Sequence, residues 1–437
     1  MAGTRVEPYW ELTFDADGDV HTGERDGLVA GAGRERLTDL VIFAHGWNND
    51  RPRATGLYRR FFAPFPALVD GATTADGAEV RVGYGGVIWP SMRFADEPVP
   101  DFPEQALTTI VTGPPVLDAA TRQALTTVFP GSEETVARLA ELLERRPEAP
   151  EPLAEFTGLV RALVTADQAD QGDAGLVQDL EGESEPTVLA GDPEVVCAAF
   201  ADALTGGETP AELFGGGWRK LWKGAHELLR QASYYTMKRR AGTVGERGLG
   251  PALGVLARSA PEVRVHLVGH SFGARLTAFG LRGLPEEAAV YSLTLLQGAF
   301  SHYAFSPRLP FDSRRGGALK GAYRRVRGPV VCVHSRHDTA LGVMYPLASR
   351  LARDADSVLG IDNTRWGAMG YDGIQAVDGS ARVSLARALD GGLPDEGCAS
   401  VDASAVVSRG GPPSGAHSDI CHDELARLIL LAGRIGG

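Results

Sequence analysis

Basic residues are unevenly distributed in this chain of 437 residues, and lysine is nearly missing. Only four of its 43 Lys and Arg residues are lysines. From Ala162 to Trp218 there is no Lys or Arg, whereas twelve Asp and Glu occur there, so this stretch carries −12 of the net charge of −13. A groove that binds nucleic acid needs a basic patch. The charge distribution therefore argues against nucleic acid as a partner.

Long apolar runs and closely spaced cysteines are also absent. No run approaches the roughly 18–20 apolar residues that span a bilayer, and Met1–Trp10 lacks the apolar region of a secretory signal. The four cysteines are Cys197, Cys332, Cys398 and Cys421, and no two of them form a C-x-x-C pair. We therefore expect a cytoplasmic protein with reduced thiols. A Cys398–Cys421 disulfide is the less favoured alternative.

Metal-binding patterns are missing as well. The His, Asp and Glu residues show no H-E-x-x-H or similar ligand spacing. The acidic cluster Asp15–Asp19 resembles a calcium loop only in composition, because an EF-hand needs Gly at its sixth position and Gly18 is at the fourth. A hairpin turn is the better interpretation of this cluster. We expect neither a metal nor another cofactor.

The two ends of the chain alternate between short apolar runs and helical patterns. After opening strands within 9–42, buried strands are predicted at 40–44, 80–89, 263–268, 291–296, 328–334 and 399–408. Helices are predicted near 53–63, at 247–258 and at 419–432. This rhythm predicts an α/β core with a mostly parallel sheet, formed by residues 1–95 and 236–437.

The rhythm breaks between residues 96 and 235, where no buried strand is predicted. Helices are predicted at 115–128, 132–146, 151–166, 193–204 and 218–240, and the acidic residues 167–192 are predicted to form a mobile connector. We interpret 96–235 as a helical insertion, a candidate cap over an active site. The apolar face of 218–240, which includes Trp218 and Trp222, favours packing on the core over contact with a membrane surface.

One short stretch carries the strongest functional signal. An apolar strand at 263–268 leads into the motif GHSFG at Gly269–Gly273, and the residues after it continue at helical spacing. A strand, a sharp turn with G-x-S-x-G and a helix form the context in which a serine projects from a sheet edge as a nucleophile. The two glycines of the motif leave room for strand and helix to approach each other. Ser271 is therefore the predicted nucleophile.

A nucleophilic serine needs a base that removes its proton and an acid that orients the base. Asp338 lies four residues beyond a predicted strand, at the sheet edge where such groups gather, and Asp312 is the second choice. His417 lies in the loop before the last predicted helix. It is favoured as the base over His422, which is predicted to lie inside that helix. The predicted catalytic residues are Ser271, Asp338 and His417.

Backbone N–H groups must also converge where negative charge develops on the substrate oxygen. Phe272 directly follows the nucleophile, and His45–Asn48 directly follows the strand 40–44. The N–H groups of Phe272 and Trp47 are the predicted donors, and the Asn48 side chain is a further candidate. The residues predicted to support the site are His45, Gly46, Asn48, Gly269, His270 and Gly273.

Taken together, these motifs resemble the α/β-hydrolase superfamily. His45-Gly46-Trp47 matches its oxyanion loop and Gly269–Gly273 its elbow, and the chain order Ser, Asp, His is that of its triad. The loop together with Trp89-Pro90-Ser91 is also similar to esterase- and lipase-like members. The resemblance covers about residues 9–95 and 240–437 and implies a sheet of the α/β-hydrolase type. The insertion comes earlier than the usual cap position in that superfamily.

The resemblance implies a serine hydrolase that cleaves a small-molecule or lipid ester through an acyl-enzyme. Thioesterase, peptidase and acyltransferase activities are alternatives on the same three residues. A hypothesis of a different class is a non-catalytic scaffold of this fold that binds a partner through its acidic insertion. Because every triad candidate is present, the sequence favours the enzyme.

Overall fold

The computed structural model describes residues 6–47, 49–74, 77–92, 117–170, 178–181, 191–204, 217–346, 365–411 and 414–436. Within these ranges the chain builds one sheet of eight strands, all of them parallel. The strands are β1 (Tyr9–Thr13), β2 (Asp39–Ala44), β3 (Val82–Ile88), β4 (Arg264–His270), β5 (Ser292–Leu296), β6 (Pro329–His334), β7 (Ala381–Ser384) and β8 (Gly397–Asp402). Their spatial order is β1-β3-β2-β4-β5-β6-β8-β7. The predicted α/β fold with a parallel sheet is confirmed.

Helices connect and cover these strands. They are α1 (Thr22–Arg34), α2 (Arg51–Phe62), α3 (Phe65–Val69), α4 (Ala119–Val128), α5 (Glu133–Arg145), α6 (Pro150–Asp170), α7 (Pro193–Leu204), α8 (Gly217–Thr243), α9 (Gly250–Ser259), α10 (Phe272–Gly283), α11 (Met369–Asp372) and α12 (Asp423–Gly433). Shorter helical turns include Val244–Leu249 and Ala340–Met344. No helix among the residues described is both long and apolar enough to cross a membrane.

The central strands are buried on both faces, as expected for a parallel sheet. In β2, Leu40 and Ile42 pack into one apolar cluster, while Val41 and Phe43 pack into a second. This division follows because successive side chains of a strand point to opposite faces of the sheet. The register aligns Ala44 with Gly269, so β2 and β4 end level with each other. The loops that carry the candidate site therefore emerge side by side.

The N-terminal region differs from its prediction. Strands were predicted within 9–42, but residues 22–34 form α1. A Cβ atom on Gly31 would lie 2.4 Å from the Trp10 ring, so this helix packs closely on β1 through a glycine. The predicted turn at Asp15–Asp19 is confirmed, because the Asp15 carboxylate accepts hydrogen bonds from the N–H groups of Asp17 and Asp19.

Two boundaries near the C-terminus also differ. The strand predicted at 399–408 ends at Asp402, and the edge strand β7 was not predicted. The last helix begins at Asp423 with His422 as its N-cap, so the predicted position of His422 inside that helix is wrong. The four cysteines are free thiols, and the alternative disulfide between Cys398 and Cys421 is not formed.

The insertion and the core are joined by a continuous helix. α8 runs through residue 235, where the predicted insertion ends, and continues into the helical turn Val244–Leu249. Trp222 of α8 is fully buried, stacks edge-on against Phe156 and donates a hydrogen bond from Nε1 to the Pro147 carbonyl at 3.1 Å. The apolar face of α8 is thus packed on protein, as the sequence favours.

Candidate active site

The nucleophile candidate lies at a sharp turn between β4 and α10. Ser271 has φ 55° and ψ −118°, a backbone conformation that is strained for a residue with a side chain. A Cβ atom on Gly273 would lie 2.0 Å from the Ala44 carbonyl oxygen, and one on Gly269 would lie 2.3 Å from the Gly273 carbonyl oxygen. Only glycine fits at these two positions, which allows the strand and the helix to meet behind Ser271.

The three predicted catalytic side chains form one hydrogen-bonded line. His417 Nε2 lies 2.9 Å from Ser271 Oγ, and His417 Nδ1 lies 2.7 Å from Asp338 Oδ2. Asp338 is fully buried, and its second carboxylate oxygen accepts a hydrogen bond from the Leu341 N–H at 3.0 Å. With Nδ1 donating to the carboxylate, Nε2 is the acceptor for the serine proton. This arrangement suits proton transfer away from Ser271.

The loop that carries His417 is held against the loop that carries Asp338. The Ala416 N–H donates to the His337 carbonyl at 2.8 Å. Gly415 has φ 60°, and a Cβ atom there would lie 2.2 Å from the same carbonyl oxygen. A glycine is therefore required where the two loops cross. This contact sets the base beside its acid.

His270 supports the base from the other side. Its Nε2 lies 2.8 Å from the His417 carbonyl oxygen and donates a hydrogen bond to it. Burial, with a contribution from the nearby His417, lowers the pKa of His270 to about 3. The ring is therefore neutral near pH 7, and it positions the His417 backbone without adding a charge to the site.

The predicted oxyanion loop, of which the structure describes His45–Trp47, lies directly beside Ser271. A Cβ atom on Gly46 would lie 2.8 Å from Ser271 Cβ, so the loop can approach this closely only with glycine. The Trp47 ring contacts the Phe272 ring, with centroids 6.3 Å apart. Phe272 is the first residue of α10, where helix geometry leaves the N–H without an intrahelical partner. Asn48, the further predicted donor, lies outside the residues described.

Several hydrogen bonds hold the predicted oxyanion loop in place, and none of them was predicted, because Trp89-Pro90-Ser91 was singled out only for its resemblance to esterase- and lipase-like members. Trp89 Nε1 donates to the His45 carbonyl at 3.0 Å, and Ser91 Oγ donates to the Asn49 carbonyl at 2.6 Å. Asn49 Nδ2 in turn donates to the Trp47 carbonyl at 3.2 Å. The Trp-Pro-Ser motif follows β3, and β3 neighbours β2, so adjacent strands supply the loop and its supports. That adjacency could have indicated that the motif lies near the loop, but not which carbonyl each side chain bonds to.

His45 is structural rather than catalytic in this arrangement. Its ring stacks on Trp89 with centroids 5.6 Å apart, and its Nδ1 lies 2.8 Å from the Gly46 carbonyl oxygen. Burial lowers the pKa of His45 to about 4, so the ring is neutral near pH 7. The His45 ring therefore packs on Trp89, whose Nε1 also donates to the His45 carbonyl.

A cavity of about 90 Å³ opens onto Ser271 and His417. One wall belongs to α8 of the insertion and consists of Glu227, Arg230, Gln231 and Tyr234. A second wall is mainly apolar and consists of Ala299, Ala340, Leu341, Met344 and Tyr345. The insertion therefore contributes directly to the surface that a substrate would meet.

The second-choice residues are not part of this site. Asp312 accepts a hydrogen bond from the Arg314 N–H at 3.2 Å and does not contact His417. His422 Nε2 bonds to Asp419 at 2.8 Å instead of facing the serine. The described residues also contain no group of three or more His, Cys, Asp or Glu side chains that could hold a metal ion.

The arrangement as a whole can activate a serine, stabilise a charged base and bind an acyl group in a largely apolar cavity. Comparisons of the chain with protein-family models, with curated proteins and with solved structures find no match. The assignment of function therefore depends on the geometry of Ser271, His417, Asp338 and the loops around them.

Proposed function

We propose that this chain is a serine hydrolase related to the α/β-hydrolase superfamily, and that it cleaves a carboxylic ester. The observation that carries the proposal is the hydrogen-bonded line from Ser271 through His417 to the buried Asp338, with distances of 2.9 and 2.7 Å. The strained conformation of Ser271 supports it, since such strain is concentrated at functional sites. A scaffold without catalytic activity has no need of either feature.

In the first half of the reaction, His417 removes the proton from Ser271 as Oγ attacks the ester carbonyl. The Phe272 and Trp47 N–H groups stabilise the oxyanion that forms. The Asp338 carboxylate stabilises the imidazolium, which then gives its proton to the departing alcohol. The product of this half is an acyl-enzyme on Ser271.

In the second half, His417 removes a proton from water, which attacks the acyl-enzyme. The same N–H groups stabilise the second oxyanion, and Ser271 recovers its proton as the acid is released. A thioester or amide could acylate the same serine, and an alcohol could replace water. The mainly apolar wall at Ala340–Tyr345 favours an apolar acyl group, in a small-molecule or lipid ester.

A fluorophosphonate probe tests the proposal, because it reacts only with an activated serine. The wild-type protein should be labelled at Ser271, and Ser271→Ala should not be labelled. Ser418→Ala, which removes a serine from the loop of His417, is the matched control and should be labelled as the wild type is. Folded wild-type protein that is not labelled would contradict the proposal.

A substrate series then distinguishes the reactions that share this acyl-enzyme. Nitrophenyl esters of increasing acyl length should be hydrolysed, with a preference set by the cavity. A matched thioester and an anilide of the same acyl group separate esterase from thioesterase and peptidase activity. Product analysis with added alcohol separates hydrolysis from acyl transfer. Faster turnover of the thioester or anilide than of the ester would replace the esterase assignment.

A further inference from the structure

A short piece of the acidic stretch between α6 and α7 is fastened to the core. The Ala318 N–H donates to the Asp179 carbonyl at 2.8 Å, and the Glu181 N–H donates to the Gly316 carbonyl at 2.9 Å. The Gly316 N–H in turn donates to the Glu181 carboxylate at 2.8 Å. Residues 178–181 were predicted to belong to a mobile connector, and for these residues that prediction is wrong.

The Asp179 carboxylate is fully buried and contacts four separate elements. Lys238 Nζ of α8 lies 2.6 Å from Oδ2, and Arg275 Nη2 of α10 lies 3.2 Å from Oδ1. The Ser301 N–H and the Tyr345 hydroxyl donate to Oδ2 at 3.0 and 3.2 Å. Burial favours the neutral acid, but the two cations outweigh it and lower the pKa of Asp179, so the group is ionised.

The residues that contact Asp179 lie in the candidate active site or next to a residue of it. Arg275 lies one helical turn after Ser271. Tyr345 is itself a cavity-wall residue. Ser301 lies two residues after Ala299, another wall residue, whose N–H donates to the Ser271 carbonyl at 3.2 Å.

Lys238, the fourth contact, lies close to the cavity wall that α8 supplies. Lys238 lies one helical turn after Tyr234, and the Tyr234 ring packs on Phe272 with centroids 4.5 Å apart. The Asp179 carboxylate, which belongs to the insertion, thus connects α10 with both walls of the cavity. A buried charge whose partner is removed is strongly destabilising, so these elements depend on Asp179 for their positions.

We propose that Asp179 is a positioning residue, through which the acidic insertion sets the shape of the substrate cavity. This inference rests on the proposed hydrolase function. Asp179 touches neither the triad nor the space in which an acyl group would lie. It acts through Arg275, Tyr345, Ser301 and Lys238.

The triad is held in place by hydrogen bonds that do not involve Asp179, so the proposal makes a specific prediction. Asp338 is fixed by the Leu341 N–H, and the loop of His417 is fixed by the bond from Ala416 to His337. Loss of the Asp179 charge should therefore disturb substrate binding more than the reactivity of Ser271. If Asp179 only stabilised the fold, its substitution would reduce substrate binding and the reactivity of Ser271 together.

The experiment compares Asp179→Asn with the wild type in two assays of the full chain. The first is the rate of labelling by a small fluorophosphonate, and the second is kcat and KM for nitrophenyl esters of increasing acyl length. We expect KM for the longer esters to rise on the order of tenfold or more, since the fit of one methylene in an apolar pocket is worth roughly 10–200-fold. The labelling rate should stay close to the wild-type value. Glu194→Gln, which alters an exposed carboxylate of the insertion, is the matched control and should change neither assay.

Other outcomes overturn the proposal. A folded Asp179→Asn protein with unchanged KM at every acyl length makes Asp179 a stability residue only. The same conclusion follows if labelling and turnover fall in equal proportion. If Asp179→Asn does not fold, Tyr345→Phe decides, because it removes one hydrogen bond to Asp179 and keeps the ring. KM should then rise in the same direction by a smaller factor, and an unchanged KM overturns the proposal.

The two proposals fail in distinguishable ways. Wild-type protein that is neither labelled nor able to hydrolyse any ester contradicts the hydrolase function, and the positioning role falls with it. Normal labelling and turnover of the wild type, together with an unaltered Asp179→Asn variant, contradicts the positioning role alone.

Discussion

Asp338 and Asp312, the two candidates for the orienting acid, differ in what their carboxylates contact. Substitutions of single residues should therefore distinguish them. Asp338→Asn should lower the rate of Ser271 labelling and of ester hydrolysis about 10⁴-fold, because an amide nitrogen facing His417 Nδ1 favours the wrong tautomer. Labelling kinetics and kcat measure the effect. Asp312→Asn, which alters a carboxylate bonded to Arg314, should leave both rates unchanged. The reverse pattern would contradict the assignment of the acid.

The three residues of the proposed triad could be chosen from the sequence because Ser271 and Asp338 follow predicted strands and His417 lies in the loop before the last predicted helix. The structure brings their side chains together. The support given by Asn49 and Ser91 could not be predicted in the same way. Which carbonyl receives a donor depends on how two loops fold over each other, and residue patterns in either loop carry no record of that.

At the scale of the element, the oxyanion loop depends on the segment that follows β3. Trp89→Phe removes the hydrogen bond from Nε1 to the His45 carbonyl and keeps a ring that can stack on His45. We expect a loss of about 1 kcal/mol in the free energy of unfolding. We also expect kcat to fall on the order of tenfold, because the Trp47 N–H is less well placed. Urea unfolding and ester hydrolysis measure the two effects.

Trp10→Phe in β1 is the matched control for that substitution. It removes an indole from a part of the sheet that does not support the loop, so kcat should remain at the wild-type value. If the two variants reduce kcat equally, the loss does not come from the oxyanion loop.

The helix α8 makes the second prediction at this scale. Trp222→Ala should lower the free energy of unfolding by about 3–5 kcal/mol, because a fully buried indole is replaced by a cavity. Urea unfolding measures this loss. Co-sedimentation with liposomes should be absent in the wild type and in the variant, since the apolar face of α8 already packs on protein. Wild-type binding that disappears in Trp222→Ala would restore the interpretation of α8 as a membrane-surface helix.

The elements that were missed had weak patterns. The sequence of α1 contains four glycines, at 23, 27, 31 and 33, and three buried residues, so helical periodicity is barely visible. The strand β7 has four residues at the edge of the sheet, of which none is fully buried. Long elements with one apolar face, such as α5 and α8, were predicted to within a few residues at each end.

At the scale of the whole molecule, buried histidines predict sensitivity to acid. Burial lowers the pKa values of His45 and His270 to about 4 and about 3. The unfolded chain therefore takes up protons on these residues before the folded chain does. Their contribution to stability is present above the ordinary histidine pKa of about 6.5 and is lost as the pH falls toward 4. Urea unfolding should show a decrease on the order of a few kcal/mol between pH 7.5 and 5.

His422 provides a control of opposite sign for that prediction. Its hydrogen bond to Asp419 raises the pKa of His422. The stability that it contributes is therefore present below the unfolded pKa and is lost as the pH rises through the folded value. His422→Gln should destabilise the protein more at pH 5.5 than at pH 8. A wild-type stability that does not change between pH 7.5 and 5 would contradict the role of the buried histidines.

The fold class could be predicted as a whole because alternating strands and helices allow few topologies. The buried contact between the insertion and the core could not. The acidity of the insertion predicts a solvated connector, and only the packed chain shows that Asp179 is fully buried between two cations. Composition averages over a segment and does not identify the one charge that points inward.

The candidate site is formed by contacts between residues that are far apart in the sequence. The bonds of His417 to Asp338 and to Ser271 join residues 79 and 146 positions apart, and those of Asp179 to Ser301 and to Tyr345 join residues 122 and 166 positions apart. Contacts of such separation form late in folding, since the loops between them must first be ordered. The helices of the insertion are local structures and can form early, before the residues that complete the triad have been synthesised. Ser271 therefore meets its proposed base and acid only after the chain has been made as far as His417, so chains that end before this residue have no assembled triad.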